Sequence, residues 1–111
     1  MCIAVAADGP KMESHVEPVL GRADWFVIVE DGKTLIEAIQ NPHRDDKEGC
    51  GVKVARMLES MGVKAVLSGN CGPKAALACR SSGTSISFSR KDTVSEAVVR
   101  YMELEETSRL K

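Results

Sequence analysis

A chain of 111 residues with 43% hydrophobic content is long enough to bury one core, and no shift in composition divides it. A formal net charge of -1 leaves no basic footprint for nucleic acid, and 4% aromatic content leaves no base-stacking platform. No apolar run is long enough to span a membrane.

Met1-Cys2-Ile3 enters a strand pattern directly, with no signal peptide in view. This predicts a cytoplasmic protein in which Cys2, Cys50, Cys71 and Cys79 are reduced thiols. None of them forms a CxxC pair, so neither a standard zinc site nor a thioredoxin motif is indicated.

Cys2 to Ala7 is apolar at every position, the pattern of a strand buried on both faces, and Asp8-Gly9-Pro10 ends it. The loop from Lys11 to Arg22 carries His15 and closes with Leu20-Gly21-Arg22-Ala23. Loops of that length in compact domains are disproportionately functional. Asp24 to Glu30 reads as a second strand, Asp31-Gly32 as a hairpin turn and Lys33 to Ile39 as the returning strand. Gln40-Asn41-Pro42 stops it, and His43 to Glu48 is expected to be a solvated, mobile linker leading to Gly49-Cys50-Gly51. Val54, Ala55, Leu58 and Met61 recur at helical spacing over Val52 to Met61, with Gly62 placed to end the helix.

Val63 to Ser68 is a buried strand. It runs into Gly69-Asn70-Cys71-Gly72-Pro73-Lys74-Ala75, a tight turn with proline at the first position of a helix that continues through Cys79 and ends at Gly83. The glycines permit positive φ and close approach, the helix start offers free N–H groups to an anion, and the helix dipole favours a thiolate at Cys71. The plainer reading of the same residues is a strand-to-helix connection. Thr84 to Ser89 alternates as a strand near the sheet edge. Thr93 and Glu96 form a capping box for a last helix with Val94, Ala97, Val98 and Tyr101 on one face, and residues 103–111 are expected to fray. There is no internal repeat, and residues 1–111 read as a single domain.

Hairpin connections among the first three strands and helical crossovers afterwards predict a mixed α/β sheet of five strands in the order 3-2-1-4-5 with three helices. Its carboxyl edge gathers Asp8, His15, His43, Cys50, Cys71 and Arg90, with helix N-termini at Gly51 and Gly72. Two thiols at helix starts, with histidines on nearby loops, suit a soft metal or a metal–sulfur cluster, and the N–H groups suit its negative charge. Cys2 and Cys79 are read as small buried hydrophobes, and His15 and His43 equally fit plain loop residues.

Ile3-Ala4-Val5-Ala6, Gly21-Arg22-Ala23 before an aromatic strand, Asn41-Pro42, Gly49-Cys50-Gly51, Gly62-Val63 and Gly69 to Ala75 occur in that order. Together they resemble the dinitrogenase iron–molybdenum cofactor biosynthesis family, which includes the NifX and NafY carriers and the C-terminal part of NifB. The resemblance implies a ribonuclease H-like domain. Members of that family bind iron–molybdenum cofactor, its iron–sulfur precursors or, in one branch, a molybdenum–copper sulfide cluster, which they carry or insert without turnover. Val19 stands where many members have histidine or another polar residue, and Cys50 and Cys71 stand where relatives often have small or apolar residues.

The expectation is thus a small carrier or scaffold, not an enzyme, that binds an anionic metal–sulfur cluster, either Fe–S or Mo-containing. Cys71 and Cys50 are candidate metal ligands, with His15 as an optional third. Asn70, Gly72 and nearby N–H groups would receive the anionic face. Arg22 would neutralise charge, order the long loop, or pair with Asp8 or Asp24. Its partners would be cluster donor and acceptor proteins, with no nucleic acid and no membrane, and it would be a monomer or weak homodimer. The alternatives are a cofactor-free interaction or sensory domain and, less favoured, a metal-dependent nuclease.

Overall fold

A computed structural model of the chain describes residues 2–31, 34–89 and 92–110. The elements are β1 (Cys2–Ala7), a single 3₁₀ turn (Leu20–Arg22), β2 (Trp25–Glu30), β3 (Thr34–Gln40), α1 (Cys50–Ser60), β4 (Val63–Ser68), α2 (Pro73–Ser81), β5 (Ser85–Phe88) and α3 (Val94–Leu110). They form a five-stranded sheet in the order β3-β2-β1-β4-β5. β1–β2 and β2–β3 are antiparallel, whereas β1–β4 and β4–β5 are parallel, as hairpin and crossover connections require.

The apolar β1 is central because both of its faces must be covered. Ile3, Val5 and Ala7 pack with Val27, Val29, Ala65 and Leu67 beneath Val94, Ala97, Val98 and Tyr101 of α3. Ala4 and Ala6 turn the other way, joining Phe26, Ile28 and Val66 beneath Val54 and Leu58 of α1. The result is a three-layer arrangement with α3 on one face of the sheet and α1 on the other.

Local differences from the sequence reading have local causes. α1 begins at Cys50 rather than Val52, because Gly49 at φ 67 turns the chain directly into the helix. β5 excludes Thr84, whose N–H instead bonds to the Cys79 carbonyl at 2.8 Å as α2 ends. The capping box is present: Glu96 N–H donates to Thr93 Oγ1 at 3.2 Å and Thr93 N–H to Glu96 Oε1 at 3.0 Å. α3 keeps helical geometry through Leu110, across most of the stretch where fraying is expected. Gly32 and Lys33 of the expected hairpin, and Arg90, lie outside the described residues.

The long loop crosses the carboxyl edge of the sheet. Met12 and Val16 pack on the α3 side, whereas Leu20 and Ala23 are buried on the α1 side. The crossing is pinned where Gly69 N–H donates to the Glu17 carbonyl at 2.9 Å and Leu20 N–H to the Asn70 carbonyl at 3.2 Å. A Cβ on Gly69 would stand 2.7 Å from Pro18 Cα, so this glycine is needed for close approach and not for a positive φ. Gly69→Ala should therefore destabilise the fold by about 1–3 kcal/mol, since backbone must move to relieve the contact. Gly72→Ala, with nothing within 4 Å of its Cβ position, should stay within about 0.5 kcal/mol of the parent. Urea midpoints measure both, and equal midpoints for the two variants would refute the crossing constraint.

Candidate functional site

Three small residues bring two helix starts and the 3₁₀ turn together. A Cβ on Gly51 would lie 2.8 Å from Ala75 Cβ, so α1 and α2 approach where the glycine lacks a side chain. A Cβ on Gly21 would lie 2.7 Å from Gly51 N and 2.8 Å from Cys50 Sγ, so the turn seats directly on the start of α1. Between these three segments is a cleft of about 330 Å³, with Val19, Arg22, Cys50, Gly72 and Lys74 among its walls.

The electrostatics of the cleft follow from the backbone. The first helical bonds are Lys53 N–H to the Gly49 carbonyl and Ala76 N–H to the Gly72 carbonyl, both at 2.9 Å. The N–H groups ahead of them have no partner within their own helices. Neither Gly49 nor Gly72 supplies a capping side chain, and neither first turn contains an acidic residue. Helix starts usually carry Asp or Glu against their partial positive charge. Here Lys74 stands in the first turn of α2 and lines the cleft, whereas Lys53 of α1 is paired with Asp46. The cleft is thus a positively biased pocket lined by backbone donors.

The expected site residues divide between this cleft and other places. Cys50 opens α1, is half-buried, and lies against Gly21 on the cleft wall. Gly72 has extended geometry (φ -64, ψ 155), with open space around its Cβ position. Arg22 also lines the cleft, but its Nη1 donates to the carbonyls of Arg44 at 2.6 Å and Asp46 at 2.9 Å. These bonds tie it to the 43–48 linker rather than to the carboxylates of Asp8 or Asp24. Asp24 is paired with Arg44 at 2.6 Å, and Asp8 accepts the His15 N–H at 2.8 Å.

Cys71 is not on the cleft wall. It is half-buried against the apolar cluster on the α1 side, and its Sγ lies 3.6 Å from the Gly72 carbonyl. Burial pushes its thiol above the ordinary value, with Arg80 giving only partial relief. Partial burial thus opposes the thiolate that the helix dipole is expected to favour at Cys71. Asn70 makes structural contacts: Oδ1 accepts the Cys71 N–H at 2.8 Å, and its carbonyl accepts Leu20 N–H and Ser68 Oγ–H. The Cys71 N–H is thereby spent internally. His15 sits in a bridge opposite Thr93, next to the start of α3 and on the other side of the sheet edge from Cys50. Among the described residues no three His, Cys, Asp or Glu side chains come together in a metal-holding group.

The linker, expected to be mobile, is strapped down. Asn41 Nδ2 donates to the carbonyls of Gly21 and Ala23, each at 3.0 Å, and its Oδ1 accepts the His43 N–H at 2.9 Å. Asp46 accepts from Lys53 Nζ at 3.0 Å and lies 2.9 Å from His43 Nδ1. Those two hydrogen bonds, Lys53 first, hold its carboxyl below the ordinary range. Sequence reasoning gave Asn41 and Lys74 no role at the site and did not single out Lys53. The lysines carried a usable signal, namely basic residues in the first turns of helices that begin at glycine.

A family model described as dinitrogenase iron-molybdenum cofactor matches residues 1–104. An uncharacterised protein of Methanocaldococcus jannaschii is 29% identical over 106 residues, covering 93% of this chain and 86% of its own length. The apo form of the orange protein from Desulfovibrio gigas superposes with a TM-score of 0.88 at 32% identity, over 94% of this chain and 88% of that one. The solution structure of a putative NifB protein from Thermotoga gives 0.79 at 27% identity, over 92% and 87% of the two chains.

The burial of Cys71 has a direct chemical readout. Its alkylation rate should keep rising with pH beyond the ordinary thiol value of 9.0, because burial raises the pH at which the reactive thiolate forms. Peptide-resolved iodoacetamide labelling across the alkaline range measures this. A plateau near neutral pH would instead indicate an activated thiolate.

Proposed function

The chain belongs to the dinitrogenase iron–molybdenum cofactor family, and from that premise we propose that it is a small carrier or scaffold for an anionic metal–sulfur cluster. The cargo classes are iron–molybdenum cofactor, an iron–sulfur precursor, or a Mo-containing sulfide cluster. One observation carries the reading: two helix starts without capping side chains or acidic residues converge on a single cleft. Sulfide-rich anions are acceptors for N–H groups, and the partial charges at both helix ends favour them.

In this reading the backbone donors at the starts of α1 and α2 bind the cargo, with Gly72 leaving room for it and Lys74 adding charge. Cys50 is the thiol placed to ligate a metal of the cluster, and Arg22 holds the strap beside the cleft. Cys71 would have to leave its apolar packing to act as a ligand, and His15 would have to cross the sheet edge. Carriage without turnover calls for cluster donor and acceptor proteins and a cytoplasmic setting. No described helix is long and apolar enough to cross a membrane. The 3-2-1-4-5 sheet supports a ribonuclease H-like classification, but topology of that kind assigns no nuclease activity. A cofactor-free interaction domain is the second reading, favoured by Cys71 being half-buried against the core and by the internally bonded Asn70.

Anaerobic reconstitution with iron, sulfide and molybdate, then desalting, visible spectroscopy and metal analysis, tests the proposal. The wild type should retain colour and metal in stoichiometric amount, and Cys50→Ser should reduce both. Gly72→Val fills the cleft without backbone strain, and Lys74→Glu reverses a charge at the helix start. Each should weaken retention about tenfold. Retention unaffected by all three variants would move the cargo out of this cleft. No retained metal in the wild type would favour the interaction domain.

A further inference from the structure

The geometry points to Asn41 as the residue that keeps the 3₁₀-turn side of the cleft free of hydrogen-bond acceptors. It acts through Gly21 without touching the cargo, so it is a positioning residue, and the inference rests on the anion-binding reading of this cleft. Asn41 follows β3, is only 9% exposed, and has its own N–H bonded to the Asp24 carbonyl at 3.0 Å. That bond fixes the residue beside the turn, and the side chain then joins the turn to the strap.

The turn sets the need. Its own bonds run from Arg22 N–H to the Val19 carbonyl at 3.2 Å and from Ala23 N–H to the Leu20 carbonyl at 3.5 Å. A turn this short has no N–H left for the carbonyls that follow. Gly21 and Ala23 are both buried, and a buried carbonyl requires a donor from elsewhere. Asn41 Nδ2 supplies one N–H to each, both at 3.0 Å. Gly21 lines the cleft and Asn41 does not, so the bond turns the Gly21 carbonyl away from the cleft. Released from it, that carbonyl would turn to the solvent in the cleft that Gly21 borders, placing partial negative charge where an anion is to bind.

The same bond seats Gly21 against the start of α1. Gly21 is so close to Cys50 Sγ and Gly51 N that a Cβ would stand 2.8 and 2.7 Å from them. Holding Gly21 therefore holds the surface on which the Cys50 thiol rests. Arg22 returns the clamp through its bonds to the Arg44 and Asp46 carbonyls, but those bonds are exposed and compete with water. The buried amide is the stronger half. A primary amide on a one-carbon stem offers two donors and an acceptor at this reach. Aspartate has the shape without the donors, and glutamine is one methylene longer.

Asn41→Asp keeps the shape and removes both donors, and Asn41→Ala removes the group entirely. Timed iodoacetamide labelling of the apo protein, resolved by peptide, should show Cys50 reacting about tenfold faster in Asn41→Ala. Cys79, 1% exposed, reports global opening and should be unchanged. NMR of the Gly21 and Gly51 amides over about pH 3–8 gives a readout that a general loss of packing does not move. In Asn41→Asp these signals should return toward their wild-type positions as the introduced carboxyl takes up a proton and regains one donor, and in Asn41→Ala they should not. His43, Asp46 and the Arg44–Asp24 pair are common to both variants, so the difference isolates position 41. After reconstitution with iron, sulfide and molybdate, Asn41→Asp should weaken metal retention about tenfold.

Equal acceleration of Cys50 and Cys79, Gly21 and Gly51 signals indifferent to pH in Asn41→Asp, or retention equal to a loaded wild type overturns the positioning role. No retained metal in the wild type overturns the anion reading instead, and the labelling and NMR of the apo protein still decide Asn41. Should both variants fail to fold, side-chain exchange in the wild type decides. The Asn41 Nδ2 protons should exchange at least about tenfold more slowly than those of the exposed Asn70, and equal rates overturn the inference.

Discussion

Everything at the functional end of this molecule depends on how closely backbone can approach backbone along the carboxyl edge of the sheet. Gly51 against Ala75, Gly21 against the start of α1, and Gly69 against Pro18 are contacts that one added methyl would disturb. They draw the starts of α1 and α2 and the 3₁₀ turn around one cleft. Close packing of small residues thus does for the site what large side chains do for the core, because it sets which backbone groups share a space.

Once the helix starts converge, their charge has nowhere to go within the chain. Side chains that usually neutralise a helix N-terminus are missing from both first turns, and Lys74 occupies a position where carboxylates are common, whereas Lys53 is paired with Asp46. The cleft therefore carries the partial positive charge of two helix starts together with Arg22 and Lys74. Such an arrangement is unfavourable for the isolated protein and favourable for a bound anion. The strap from Asn41 to Asp46 belongs to the same logic. Arg22 is held beside the cleft by carbonyls in that strap.

The fold was legible in the chain to an unusual degree because its signals were local and consistent. An apolar β1, a hairpin between β2 and β3, and glycine-bounded helices between β4 and β5 leave few ways to arrange five strands. The site was legible only in outline. Glycine-framed Cys50 and Cys71 looked alike in sequence, yet Cys50 opens a helix on the cleft wall while Cys71 is absorbed into the apolar layer below it. His15 belonged to the right loop but to the wrong side of the sheet edge, since the crossing occurs after it, at Glu17 to Leu20. The polar run from His43 to Glu48 looked solvated because composition does not reveal that Asn41, Arg22 and Lys53 reach it from three other segments.

The amino-acid sequence by itself determined the order of elements, the sheet topology and the edge at which chemistry would gather. These follow from hydrophobic periodicity, turn residues and the handedness of crossovers, all of which act over short separations along the chain. Only the tertiary structure decided which of the edge residues meet. Whether a thiol is buried or displayed, and whether an N–H is free or already bonded, depends on segments tens of residues apart approaching to within a methyl group. That distance is set by packing, and no single stretch of sequence carries it.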